Sequence, residues 1–206
     1  TPQVIFLRES PHAFRTPSGP LLPLGGLSNQ KTVYCREQDE LITYQSDRYG
    51  FRNQDEIWDL ASLDIIAIGD SYTQGSCVED DQHLVGQLRQ RGLTALNLGS
   101  FGNGPLANLG VATEYAVHKK SKLILWFYVA NDMGIDTGLE NSAPILRRYM
   151  DRHFSQHLVR RQGEIDAALA PFLEREWQRQ QREEQSFRQP FWKAAKVQSL
   201  LRISLR

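Results

Sequence analysis

The sequence predicts an α/β fold built on a parallel sheet, and three observations predict it. Three apolar runs, DIIAIG (64–69), ALNLG (95–99) and LILWFYVA (123–130), are continuous rather than alternating, the pattern of strands covered on both faces. Two stretches with apolar residues at i, i+3, i+4 spacing, DQHLVGQLRQRG (81–92) and PLANLGVATEYAVHKK (105–120), lie between them, and Gly92 stops the first. Each run ends in glycine or polar residues: Gly69-Asp70-Ser71, the NLGSFGNG stretch, and Asn131-Asp132. The order is therefore β-α-β-α-β. Right-handed crossovers with short loops then make the three runs parallel neighbours.

The segments on either side follow other rules. Residues 1–30 hold five prolines and three glycines, which defeat long helices and central strands, so this part reads as an irregular arm. Short β-leaning pieces, TVYC and LITYQ, lead into SDRYGFRN (46–53), where Gly50 between two aromatics marks a turn or a close backbone approach. A small hairpin that supports the rest is expected there. The boundary is drawn at 60: an N-terminal arm with small β elements over 1–60 and the α/β domain over 61–206. Residues 143–189 are dense in Arg, Gln and Glu with scattered apolar groups and read as helices with a solvated face. The last stretch, FWKAAKVQSLLRISLR, carries basic residues and no acid, and is expected to dock onto the protein's own body rather than onto a membrane.

Bulk numbers exclude several classes. The chain has 206 residues, 40% of them hydrophobic and 23% charged, which suits one folded domain. Lys plus Arg equals Asp plus Glu at 24 each, so no global field draws nucleic acid. No apolar run approaches the roughly 18 residues of a membrane span. No C-x-x-C or H-E-x-x-H spacing occurs, so no metal is expected, and no organic cofactor is called for. Cys35 and Cys77 could pair or stay free, and free thiols are taken as the starting point. The compartment stays open, an extracytoplasmic one included.

In an open parallel sheet the loops that leave the C-terminal strand ends converge on one edge, where ligands bind. Here that edge would gather a hydroxyl, a glycine-rich turn and a carboxamide. Those are the parts of acyl transfer: a nucleophilic oxygen and N–H donors aimed at a developing oxyanion. A serine after a strand is also a common helix cap, and Asn-Asp a common turn, so it is the combination on three successive strand ends that points to chemistry.

At these residues the sequence resembles the SGNH (GDSL-type) hydrolases, serine esterases and acetyl-ester hydrolases on a flavodoxin-like three-layer α/β fold. The resemblance spans roughly residues 47–133. IGDSYTQG is similar to the family's first block, which implies Ser71 as nucleophile. NLGSFGNGP is similar to the second, which implies that the Gly102 N–H serves the oxyanion hole. YVANDM is similar to the third, which implies the same for the Asn131 side chain, although Ala130 stands where glycine is more usual. The upstream DRYGFRN resembles a stretch in bacterial members linked to cell-surface carbohydrate. The implied function is hydrolysis or transfer of a carboxylic ester, an acetyl or short acyl group on a carbohydrate or small molecule. The rival is a noncatalytic binding or scaffold module that keeps the crevice without the base.

The base is the gap. The family's Asp-x-x-His does not follow Asn131 in this chain. His153, two residues after Asp151, is a weak candidate, because helical neighbours stand three or four apart. His83, early in the second helix, reads as a cap or packing residue, and His12 and His118 have no motif around them. Three strands rather than the family's five lead to the expectation that the remaining strands and the Asp-x-x-His lie beyond Arg206.

Overall fold

The computed structural model describes residues 13–37, 40–130, 132, 140 and 143–188. Two short antiparallel hairpins come first: β1 (Phe14–Thr16) with β2 (Gly19–Leu21), and β3 (Lys31–Glu37) with β4 (Glu40–Gln45). The parallel sheet follows, made of β5 (Leu63–Gly69), β6 (Ala95–Gly99) and β7 (Ser121–Trp126) in the order β6-β5-β7. Helices α1 (Ser71–Gln74), α2 (Leu84–Gln90) and α3 (Pro105–Glu114) fall between the strands. Helices α4 (Pro144–Arg147) and α5 (Gln162–Arg188) come after them.

The α/β expectation holds in this form. Both pairings of β5 are parallel, with Ile65 opposite Ala95 on one side and Leu123 on the other. Helices cover both faces. Val85 and Leu88 of α2 pack with Ile65, Ala67 and Ala95, whereas Ala107 and Val111 of α3 share the larger core with Ile66, Ile68, Leu96 and Leu98. The arrangement is compatible with a flavodoxin-like sheet.

Two expectations need correction. The third apolar run is not covered on both faces: Leu123 and Ile124 are 49% and 52% exposed, because β7 is the marginal strand and, among the described residues, no strand pairs on its outer side. Leu21, Leu22 and Leu24 of the N-terminal arm are buried in the same core as Ile66 and Leu96. Residues 151–157 are not helical, for the buried Glu114 carboxylate at the end of α3 accepts the N–H groups of Gln156 and Leu158 and the Tyr149 and Ser155 hydroxyls. The final basic stretch lies outside the described residues.

SDRYGFRN is a brace. The Asp47 carboxylate is fully buried and accepts from the Tyr49 and Phe51 N–H groups, Asn53 Nδ2 and Trp58 Nε1 at 2.7–2.9 Å. Burial pushes its pKa up to about 6, against the pull of those four donors. Gly50 turns the chain at φ +85, and a Cβ there would sit 2.1–2.2 Å from Gly26 backbone atoms. Asn53 then closes the sheet edge: its amide pairs with both the N–H (2.8 Å) and the C=O (2.9 Å) of Asn97 in the edge strand β6.

Removing this carboxylate leaves two backbone N–H groups, an amide and an indole without their acceptor. Asp47→Ala should lower unfolding free energy by at least about 3 kcal/mol in urea titration. A loss below about 1 kcal/mol would contradict the brace.

Candidate active site

The site is built on a tight junction. Gly69 and Gly99 end neighbouring strands and are register partners. A Cβ on Gly69 would lie 2.2 Å from Thr73 Oγ1, and one on Gly99 2.3 Å from the Gln74 backbone nitrogen. Two bare backbones side by side therefore let α1 sit directly on the strand ends. Ser71 opens that helix, half-buried, immediately after β5. Asp70 caps it, Oδ1 accepting from the Tyr72 N–H at 2.9 Å. Tyr72 next to the serine is 68% exposed.

Chain order makes this spot the topological switch of the sheet. From β5 the chain crosses to β6 on one side and then, by α3 on the opposite face, to β7 on the other. Crevices for ligands open where the order reverses, and Ser71 is at that point.

The second loop is tied to the first. Gly69 C=O accepts the Ser100 N–H at 3.1 Å, and Gln74 Oε1 accepts the Phe101 N–H at 2.8 Å. Asn97 Nδ2 also donates to the Thr73 C=O at 3.0 Å. These bonds hold the turn in which Gly102, buried, takes φ +76, and the space where its Cβ would be is open. The Glu140 carboxylate caps the following helix, accepting from the Leu106 and Ala107 N–H groups at 3.0 and 2.7 Å. On the third loop, Phe127 N–H donates to the Ile68 C=O at 2.8 Å, and the Asp132 carboxylate accepts from the Val129 N–H at 3.0 Å. Asn131 itself lies outside the described residues.

Around the loop after α1 sits a polar support that sequence reasoning missed. Arg52, 2% exposed, donates to the Gly75 and Val78 carbonyls at 2.8 Å each and to Asp80 at 2.7 Å, with its guanidinium 5.3 Å from the Tyr44 ring centroid. Burying a guanidinium is tolerable only with every side answered, and here the loop after α1 answers it. Tyr44 accepts from Gln74 Nε2 at 3.2 Å, which carries the same support into α1. Burial pushes the nearby Tyr34 hydroxyl up to about 12. The free-thiol expectation is corrected: Cys35 and Cys77 are joined in a disulfide, Cα–Cα 5.7 Å, linking β3 to the loop after α1. No sequence signal predicts that pairing, since 42 residues separate the two.

Among the described residues, His83 and His153 are engaged away from Ser71. His83 is buried and caps α2, Nδ1 accepting from the Gly86 N–H at 3.1 Å, with its ring against Gly75. His153 is exposed in the turn after α4; its Nε2 accepts from Arg152 Nε at 3.1 Å, and Asp151 takes the His153 backbone N–H rather than its ring. His118 and His157 are exposed as well, and His12 lies outside the described residues. Among the described residues no imidazole is hydrogen-bonded to the Ser71 hydroxyl. No group of metal-binding side chains forms among them either.

No family model matches the chain, and no curated protein matches it by sequence. Among solved structures, the chain is similar to AlinE4, described as an SGNH-hydrolase family esterase, at 18% identity and a TM-score of 0.30. A mutant of the same esterase matches at 16% identity and the same TM-score, and each match covers 57% of this chain and 73% of the other.

Two experiments probe this geometry. Gly99→Ala should cost about 3 kcal/mol by chemical denaturation, since α1 must lift off the sheet, whereas Gly102→Ala should cost about 1 kcal/mol from backbone strain alone. Equal losses would contradict the junction. The second is a pH test. Burial depresses the His83 imidazole from 6.5 to about 4, so its contribution to stability is lost as pH falls through that range. Asp47, raised from 3.8 to about 6, runs the other way, losing its contribution as pH rises through 6. His83→Asn keeps a cap acceptor and removes the first effect only. Its melting temperature relative to the parent should be higher near pH 4.5 than near pH 7, and an equal difference at both would contradict the assignment.

Proposed function

We propose that this protein is a serine-dependent hydrolase or acyltransferase of SGNH type, acting on acetyl or short acyl esters, with carbohydrate esters foremost. The observation that carries the reading is the position of Ser71 as the first residue of α1, at the switch point of a parallel sheet. In this mechanism Ser71 Oγ attacks the acyl carbon and gives up its proton to a base. The carbonyl electrons move onto oxygen, and the alcohol leaves with a proton. Water or an acceptor alcohol then takes the acyl group from the serine.

Three donors are assigned to the oxyanion. The Ser71 N–H belongs to a first helical turn, where N–H groups lack intrahelical acceptors. The Gly102 N–H comes from the turn fastened by Gln74 and Gly69. The Asn131 amide completes the set, on a loop whose neighbouring residues are pinned by Asp132. His153, exposed in the turn after α4, is the weak candidate for the proton acceptor. His83 is a poor one, being committed to the α2 cap and, at a pKa of about 4, weakly basic.

A second reading, a noncatalytic binding module, is favoured by the absence of an imidazole on Ser71 among the described residues. Labelling by a fluorophosphonate probe separates the two. The enzyme reading expects labelling that disappears in Ser71→Ala; no labelling, or labelling that survives the substitution, contradicts it. Asn131→Ala should leave the melting temperature nearly unchanged and slow turnover of a small acetyl ester about a hundred- to a thousandfold. Parallel losses of stability and activity would instead make Asn131 structural.

A further inference from the structure

The segment between α4 and α5 lines a cleft of about 590 Å³ with Arg148, His153, Phe154, His157, Arg160 and Arg161, and no aspartate or glutamate lines it. In a chain with equal numbers of acidic and basic residues, this is a local surplus of positive charge.

One of the three guanidiniums is already committed. Arg161 donates to Glu164 at 2.9 Å and to Thr16 Oγ1 at 2.8 Å, and Glu164 also accepts from the Thr16 and Ser18 hydroxyls. The other two are not. Arg148 lies over the Phe154 ring, 4.0 Å from its centroid, and Phe154 is fixed edge-on against the buried Tyr149 at 4.9 Å. Arg160 is exposed, and among the described residues neither Arg148 nor Arg160 pairs with a carboxylate. Asp151, close in sequence, is turned to the His153 N–H. The cleft wall is firm, since Gln156, 5% exposed, holds both the N–H and the C=O of Leu22.

We infer that this cleft binds an oxyanion, the phosphate or carboxylate group of a ligand, held between Arg148 and Arg160. A guanidinium offers two parallel N–H groups that match two oxygens of such a group, and this fork geometry discriminates it from a point charge. Stacking on Phe154 holds the Arg148 fork in place before the ligand arrives, which reduces the ordering cost of binding. The neighbouring imidazoles add hydrogen-bond donors in either protonation state. An anion also relieves the repulsion between the two guanidiniums that have no carboxylate partner among the described residues. This site is independent of the reading of Ser71.

Titration calorimetry at low salt, with inorganic phosphate and separately with a galacturonate trisaccharide, tests it. At least one probe should bind saturably, and binding should weaken as salt rises. Arg148→Ala and Arg160→Ala should each weaken it about tenfold or more, Arg148→Lys should fall between, and Arg175→Ala on α5 should leave it unchanged. Circular dichroism checks that each variant is folded. Binding of phosphate alone assigns the site to a phosphate group, and binding of the trisaccharide alone to a sugar carboxylate. No binding of either probe, or binding that survives both arginine-to-alanine substitutions, overturns the inference.

Discussion

The structure depends on one close approach, that of helix α1 to the paired ends of β5 and β6. Gly69 and Gly99 face each other across the ladder, and α1 fills the space that two side chains would otherwise occupy. The loops after β5 and β6 are joined through that contact. It delivers Ser71 to the sheet edge, brings Gln74 within reach of the Phe101 N–H, and so sets the turn that carries Gly102. Strand ends that carried larger residues would push the helix outward and separate the loops. The cost of bare glycine in a strand is modest, about 0.5–1 kcal/mol at each position, and the packing of α1 offsets it.

A second layer of polar groups keeps that contact in register. Asp47 gathers the Tyr49 and Phe51 N–H groups of its own turn and the side chains of Asn53 and Trp58. From the same segment Arg52 grips the loop after α1, and Asn53 closes the open edge of β6. Such groups are expensive to bury and poor at generating net stability, but they are strongly directional. Their role here is to specify geometry. The apolar core on the α3 face supplies the bulk of the driving force, drawing Leu21 and Leu22 from before the sheet and Ile165 and Leu169 from α5. The disulfide between Cys35 and Cys77 ties the hairpin to the same loop that Arg52 holds.

Much of this was legible in the sequence because it rests on short-range pattern. Continuous apolar runs gave away the parallel strands, Gly92 (φ +81) ended α2, and Gly50 marked the turn where two backbones meet. What stayed hidden depends on distant partners. Asp47 looks like any turn aspartate until Trp58 and Asn53 are seen on it, and Glu114 looks like a helix-surface glutamate until Gln156 and Leu158 arrive from more than 40 residues away. The exposure of β7 was equally invisible, because an apolar run records what a strand can bury and not which neighbour covers it. At the candidate site, the strand end before Ser71 and the glycine turn at 102 follow from local pattern. Gln74 and Arg52 carry no local signal.

The central claim is that the loops after β5, β6 and β7 converge on one reacting atom beside Ser71. A crystal structure of the protein after reaction with a small alkyl fluorophosphonate tests it most directly. The account predicts phosphorus bonded to Ser71 Oγ, with the phosphonyl oxygen about 3 Å from the Gly102 N–H and from the Asn131 side-chain amide. An adduct whose oxygen points to solvent, or which forms on another residue, would contradict it.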